Sequence, residues 1–202
     1  MDSKMQTSLL LILGSIVMFA AYMFIYPATP ADSTQQQVRD LMADATIAKI
    51  GILLGYGGAI AIMLGLWNVS RSMLMAGGAG SSYANITFIL LVALIAVMVT
   101  RTLIQFAVTG ASGMPAGVLL VSVENALGVA MPLAMGIALG VLGLGIYFAK
   151  SFHVGVGAIA VIAGIINVVR PFVDNDIINF AGLVGLAVLA LALGISRMRA
   201  SA

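Results

Sequence analysis

The sequence predicts an all-α fold, a polytopic integral membrane helix bundle with six transmembrane helices. Three observations predict it: 62% of the residues are hydrophobic, only 8% are charged, and the apolar residues fall into six separated runs. A soluble domain needs about 25% charged residues to cover its surface, so this chain lacks the polar material to be wetted. The mean hydropathy of +1.16 agrees. The 202 residues are expected to form a single transmembrane domain, multi-pass in the cell membrane.

A helix needs roughly 20 mainly apolar residues to cross about 30 Å of hydrocarbon. On that measure the spans run from Thr7 to Tyr26, Thr46 to Trp67, Ile86 to Val108, Pro115 to Phe148, Val154 to Val169 and Ile177 to Ile195. The first could pass for a signal peptide, since Lys4 precedes it and small residues follow at Ala28 to Ala31. Its apolar run exceeds the 7 to 15 residues of a cleaved signal, so it is read as a retained anchor. The fourth would reach about 50 Å as one straight helix. Pro132 near its middle removes an N–H and crowds the preceding turn, which predicts a long, tilted helix kinked there. The alternative lays Pro115 to Asn125 along the interface and lets only the remainder cross.

Basic residues in short loops stay preferentially in the cytoplasm. Six spans put Lys4, Arg71, Lys150, Arg197 and Arg199 on one face, and Arg39, Lys49 and Arg170 on the other. Five against three places the N and C termini in the cytoplasm. Asp32, Asp40, Asp44, Asp174 and Asp176 gather on the opposite face, with only Asp2 on the first.

Between the first two spans, residues 34–45 read as an amphipathic helical stub. Ser33 and Gln36 have the spacing of a reciprocal cap, and Val38, Leu41, Met42 and Ala45 recur at helical intervals. The stub is either a plain extension of the second span or a segment lying on lipid or a partner. The second, fourth and sixth spans leave the membrane through similar Leu- and Gly-rich segments ending in Arg71, Lys150 and Arg197. Three duplicated hairpins would produce this, and so would composition alone.

Helices in lipid associate by close packing, which small residues four apart permit. Gly51, Gly55 and Ala59 form such a ridge on the second span; Gly128, Pro132, Gly136 and Gly140 mark one side of the fourth. The expected partners are membrane lipids and other integral membrane subunits or further copies of the chain.

Ionisable groups at depth each cost several kcal/mol unless paired, hydrated or reaching the interface. Arg101 lies about seven residues inside the outer end of the third span, and Glu124 nine residues beyond Pro115. Both offsets are roughly 10 to 14 Å, so an antiparallel hairpin brings the charges level. An ion pair is expected, with Gln105 and Asn125 as hydrogen-bond partners and Ser122 within reach. It would act as a clamp between helices, or as a polar cluster serving a small transporter or channel.

Other motifs carry less. Asp174-Asn175-Asp176 resembles the start of a calcium loop but lacks its later ligands and glycine. Its expected work is to cap the sixth span, with Asp174 paired to Arg170 beside Asn167. His153, the only histidine, has no neighbouring ligand for a metal. The Asn68-Val69-Ser70 and Asn85-Ile86-Thr87 triplets fall on the cytoplasmic side, away from glycosylation. No cysteine is present, the 13 methionines are scattered, and the basic residues are too dispersed to hold nucleic acid. No catalytic residues, metal or cofactor are expected, because neither a pair of acids nor a ligand cluster is available. The chain is therefore read as a noncatalytic membrane protein, an accessory or structural subunit.

Overall fold

The computed structural model describes residues 3–28, 32–173 and 175–199, without the side chain of Asp176. Among these, helix is the only regular structure. The chain forms α1 (Ser3–Phe24), α2 (Thr34–Ala43), α3 (Ala45–Ala76), α4 (Ser81–Thr109), α5 (Met114–Ala149), α6 (Val154–Val169) and α7 (Asp176–Arg199), with a 3-10 turn at Arg170–Phe172. Six of these helices are long and apolar enough to cross a membrane. The chain is therefore a multi-pass helical bundle of the membrane-spanning type.

The observed helices outrun the apolar runs at several ends. α3 continues nine residues past Trp67, since no glycine or proline interrupts it between Trp67 and Gly77. Gly77 and Gly78 then adopt φ of 70° and 84°, left-handed values open to glycine, and turn the chain into α4. α5 is one continuous helix with Pro132 inside it, so Pro115 to Asn125 belongs to the spanning element. At 36 residues it measures about 54 Å.

The spanning helices close into a ring. Each packs on the next in chain order, from α1 to α3, α4, α5, α6 and α7, and α7 returns to α1. Buried Leu11, Met18, Ile62, Met63, Leu66, Leu91, Leu139, Leu142, Leu189 and Leu193 belong to one continuous core.

Glycines set the closest approaches. A Cβ on Gly58 would lie 2.6 Å from the Met18 nitrogen, and one on Gly14 would lie 2.9 Å from the Gly58 oxygen, so α1 and α3 touch backbone to backbone. Gly136 meets Gly164, and Gly143 meets Gly157, where α5 crosses α6. Seven residues separate the members on each helix, two turns of one face. The four-residue ridges read from the sequence divide differently. Gly51 faces the backbone of Tyr26 and Gly55 lies under the Tyr22 ring, while Ala59 is buried. Gly128 faces α4, Gly136 faces α6, and a Cβ on Gly140 would touch nothing within 4 Å. The fourth span thus uses a seven-residue interval against α6, because a helix face repeats after two turns more closely than along a run of fours.

α2 is not an extension of α3. Asp44 breaks the helix with φ −135° and ψ 88°, and its carboxylate accepts from the amides of Thr46 and Ile47 to start α3. The freed α2 packs on α5 and α4, burying Val38 and Leu41. At its start Ser33 Oγ accepts from the Gln36 amide at 3.3 Å. The reciprocal half of that cap does not form, because the Gln36 side chain donates to Asp40 at 2.8 Å instead.

Gly117 of α5 is the seat for α2, where an added Cβ would lie 2.5 Å from Val38 Cγ1. Gly117→Leu is expected to lift α2 from the bundle while leaving the spans in place. Limited trypsin digestion of protein in vesicles open to the enzyme on both sides should then cut after exposed Arg39 at least several times faster than in the parent. An unchanged rate would show that α2 is held elsewhere.

Candidate functional site

The polar residues of the membrane interior converge where α1, α3, α4 and α5 meet, toward the end of the bundle that carries α2. Arg101 comes from α4 and Glu124 from α5. The two helices are joined by the short segment 110–113 and run antiparallel, so equal offsets from it give equal depth. Arg101 Nη2 lies 2.5 Å from Glu124 Oε1, and Arg101 Nε donates to the same oxygen at 2.7 Å. A third donor reaches that oxygen, the Tyr56 hydroxyl of α3 at 2.9 Å. The Glu124 side chain is 3% exposed and that of Arg101 20%.

The guanidinium is held on several sides. Its Nη1 donates to Met131 Sδ at 3.3 Å, and its carbon lies 5.9 Å from the centroid of the Tyr56 ring, within reach of cation–π attraction. Gly128, one turn beyond Glu124, leaves the room it occupies: a Cβ there would be 3.0 Å from Nη2. The small residue read as a packing ridge is thus a notch for a charged side chain.

Three tyrosines line the α1 side. The rings of Tyr22, Tyr26 and Tyr56 lie 5.5 to 6.5 Å apart, with Tyr22 and Tyr26 edge to face. The Tyr26 hydroxyl donates to Gln105 Oε1 at 3.1 Å. Gln105 is buried on the same α4 face as Arg101, yet its partner is Tyr26, just past the end of α1, rather than the ion pair. Asn125 is half-buried and has no side-chain hydrogen bond among the described residues. Ser122 points outward and donates to its own helix at the Val118 oxygen.

Of the expected cluster, the structure therefore joins Arg101 and Glu124, places Gln105 beside them, and leaves Asn125 and Ser122 out. Tyr22, Tyr26, Tyr56 and Met131 were not foreseen. The depth argument that aligned Arg101 with Glu124 would have found Tyr56, which lies ten residues inside Thr46, or about 15 Å. A phenol at that depth needs a hydrogen-bond partner. Tyr56→Phe removes one of the three donors to a buried carboxylate and is expected to cost about 2 kcal/mol. Thermal unfolding in detergent, followed by circular dichroism, measures it; no change would mean that the hydroxyl adds nothing to the clamp.

The second polar group gathers around Arg170. Arg170 donates to Asn167 Oδ1 at 3.1 Å and to Asn179 Oδ1 at 3.3 Å, and its stem lies over Gly182 of α7. Asp174, its expected partner, lies outside the described residues. Asn175, in the run expected to cap this helix, supplies the described cap of α7 by accepting from the amides of Ile177 and Ile178. His153 caps α6, its Nδ1 accepting from the Gly155 amide at 3.1 Å. Among the described residues no three His, Asp or Glu side chains come together as a metal site.

Two shallow grooves lie elsewhere, on the surface of α1. A groove of about 270 Å³ between α1 and α7 is lined by Ser15, Ile16, Phe19, Val184, Ala187, Val188 and Leu191. A second of about 200 Å³ lies between α1 and α3. Both are shallow and almost wholly apolar. Comparison of the chain with protein-family profiles, curated proteins and solved structures finds no match.

Proposed function

We propose that the chain is a noncatalytic integral membrane protein of the cell membrane, an accessory or structural subunit whose apolar surface packs against other membrane proteins and lipids. In this reading both termini face the cytoplasm and the Arg101–Glu124 pair is a clamp that fixes α3, α4 and α5. The observation that carries it is the closure of the deep polar groups on one another. Three donors satisfy a single oxygen of Glu124, and the two grooves beside α1 are almost wholly apolar. A buried pair of this kind contributes geometric specificity more than net stability.

α4 supports the subunit role further. Its outer face leaves Ile86, Ile89, Val92, Val99 and Leu103 exposed, a continuous apolar stripe for lipid or a neighbouring helix. Purification from native membranes in mild detergent tests the proposal. Chains that stay bound through size-exclusion chromatography support it. A lone monomer that catalyses substrate-dependent uptake in vesicles would overturn it in favour of a small transporter or channel built on Arg101, Gln105 and Glu124, the reading that the 20% exposure of Arg101 favours.

A further inference from the structure

The polar nest is roofed at the α2 end by residues outside the spans. On α5, Gly117, Val121 and Glu124 follow at intervals of four and three and so share one face. The seat of α2 therefore lies two turns, about 10 Å, from the ion pair along the face that carries it. Val38 rests on Gly117, and Val121, between that seat and Glu124, is fully buried. α2 packs on α4 as well as on α5, and the α4 turn beyond Gln105 is buried at Val108 and Thr109.

The side of the nest toward α1 and α3 is closed by the segment leading out of α1. A Cβ on Gly51 would lie 2.9 Å from Tyr26 Cα, so the chain crosses α3 backbone to backbone, and the Tyr26 hydroxyl reaches over to Gln105. Ala28 belongs to the core. Tyr26 to Ala28 and α2 thus stand over the four helices that build the nest.

The two parts of this roof are held differently. Tyr26 is fixed by a glycine notch and a hydrogen bond. α2 has ten residues and is seated through one face, Gln37, Val38, Leu41 and Met42, while Gln35, Gln36 and Arg39 are exposed. Ahead of it the Gln37 amide donates to the Asp32 carbonyl oxygen at 2.8 Å, and behind it the helix is broken at Asp44. A short amphipathic element held by few apolar side chains opens more readily than the long helices beneath it.

We propose that α2 is a lid on the Arg101–Glu124 nest. Seated on Gly117, it keeps water from Glu124; swung out about Asp44, it opens a path to the carboxylate from the α2 end of the bundle. The proposal rests on the clamp reading given above, in which the nest is dry, and names the element that keeps it so.

Glu124 is the only acidic residue between Arg101 and Lys150, so its modification can be followed in the tryptic peptide 102–150 by mass spectrometry. The full-length chain, in vesicles open to reagent on both faces, is treated with a water-soluble carbodiimide and taurine. A Cβ on Gly117 would lie 3.6 Å from Val38 Cβ, within the separation of about 3.5–4.5 Å that a disulfide requires, so V38C/G117C can lock the lid. Leu41→Asp is added to weaken the seat.

In the oxidised V38C/G117C/L41D protein Glu124 should be as protected as in the parent. After reduction it should react faster by about tenfold or more, while exposed Asp44 reacts alike in both forms. L41D alone should match the reduced form, a check that needs no introduced cysteine. Equal rates at Glu124 in the oxidised and reduced forms, slow or fast, would overturn the lid; protection in the parent would then still support the clamp. Modification of Glu124 in the parent as fast as that of Asp44 would overturn both.

Discussion

Glu124→Ala is expected to lower the unfolding free energy in detergent by about 3–5 kcal/mol, the cost of leaving a buried guanidinium without its partner. The carboxylate accepts from Arg101 at two nitrogens and from Tyr56, so its removal strands three donors at once. Arg101→Met should do less harm, since a carboxyl group can take up a proton and become neutral whereas a guanidinium cannot shed one under ordinary conditions. The double variant Arg101→Met with Glu124→Leu should recover most of the loss, because an apolar pair of similar volume needs no counter-charge. Reversible unfolding of the four proteins compares these stabilities directly. If Glu124→Ala behaved like the double variant, the pair would be solvated by water and not a clamp.

Gly164→Leu should have an effect of the same order by a different route. A Cβ at Gly164 would lie 2.6 Å from the Gly140 nitrogen and 2.7 Å from the Gly136 oxygen. These are backbone atoms of a regular helix and cannot move singly, so α5 and α6 must separate along their whole contact. Overpacking of this severity costs about 3 kcal/mol, and here it also opens the Gly143–Gly157 crossing. Gly140→Ala is the control. Its Cβ meets nothing within 4 Å, and alanine is the better helix former by up to about 1 kcal/mol, so stability should hold or rise. Equal damage at both positions would contradict the assignment of the α5–α6 contact.

Much of this architecture is legible in the sequence because lipid imposes few solutions. Six apolar runs admit only spanning helices, and with helix offsets fixed at 1.5 Å per residue, Arg101 and Glu124 could be set level before any coordinates were known. What escaped depends on rotation about each helix axis. The offset argument gives depth and not direction, so it put Gln105 on the ion pair when its side chain reaches across to Tyr26. It also counted Asn125, which is sequence-adjacent to Glu124 but turned about 100° away from it. The glycines pose the same problem. A four-residue pattern tells that some face is smooth, and only the neighbouring helix decides whether Gly128 admits an arginine or Gly136 a backbone. α2 was ambiguous because Asp44 can continue a helix or break one, and its two hydrogen bonds to the start of α3 decided the matter.

A clamp requires that the nest of Arg101, Glu124 and Gln105 be sealed from water. The chain has no cysteine, so a single one introduced for Gln105, 2% exposed, can be compared with one introduced for exposed Lys49. In vesicles open to reagent on both faces, a membrane-impermeant maleimide is expected to label the Lys49→Cys protein readily and to leave Gln105→Cys unmodified until detergent and denaturant are added. Labelling of Gln105→Cys at a rate comparable to Lys49→Cys would contradict the clamp and make the nest a water-filled passage.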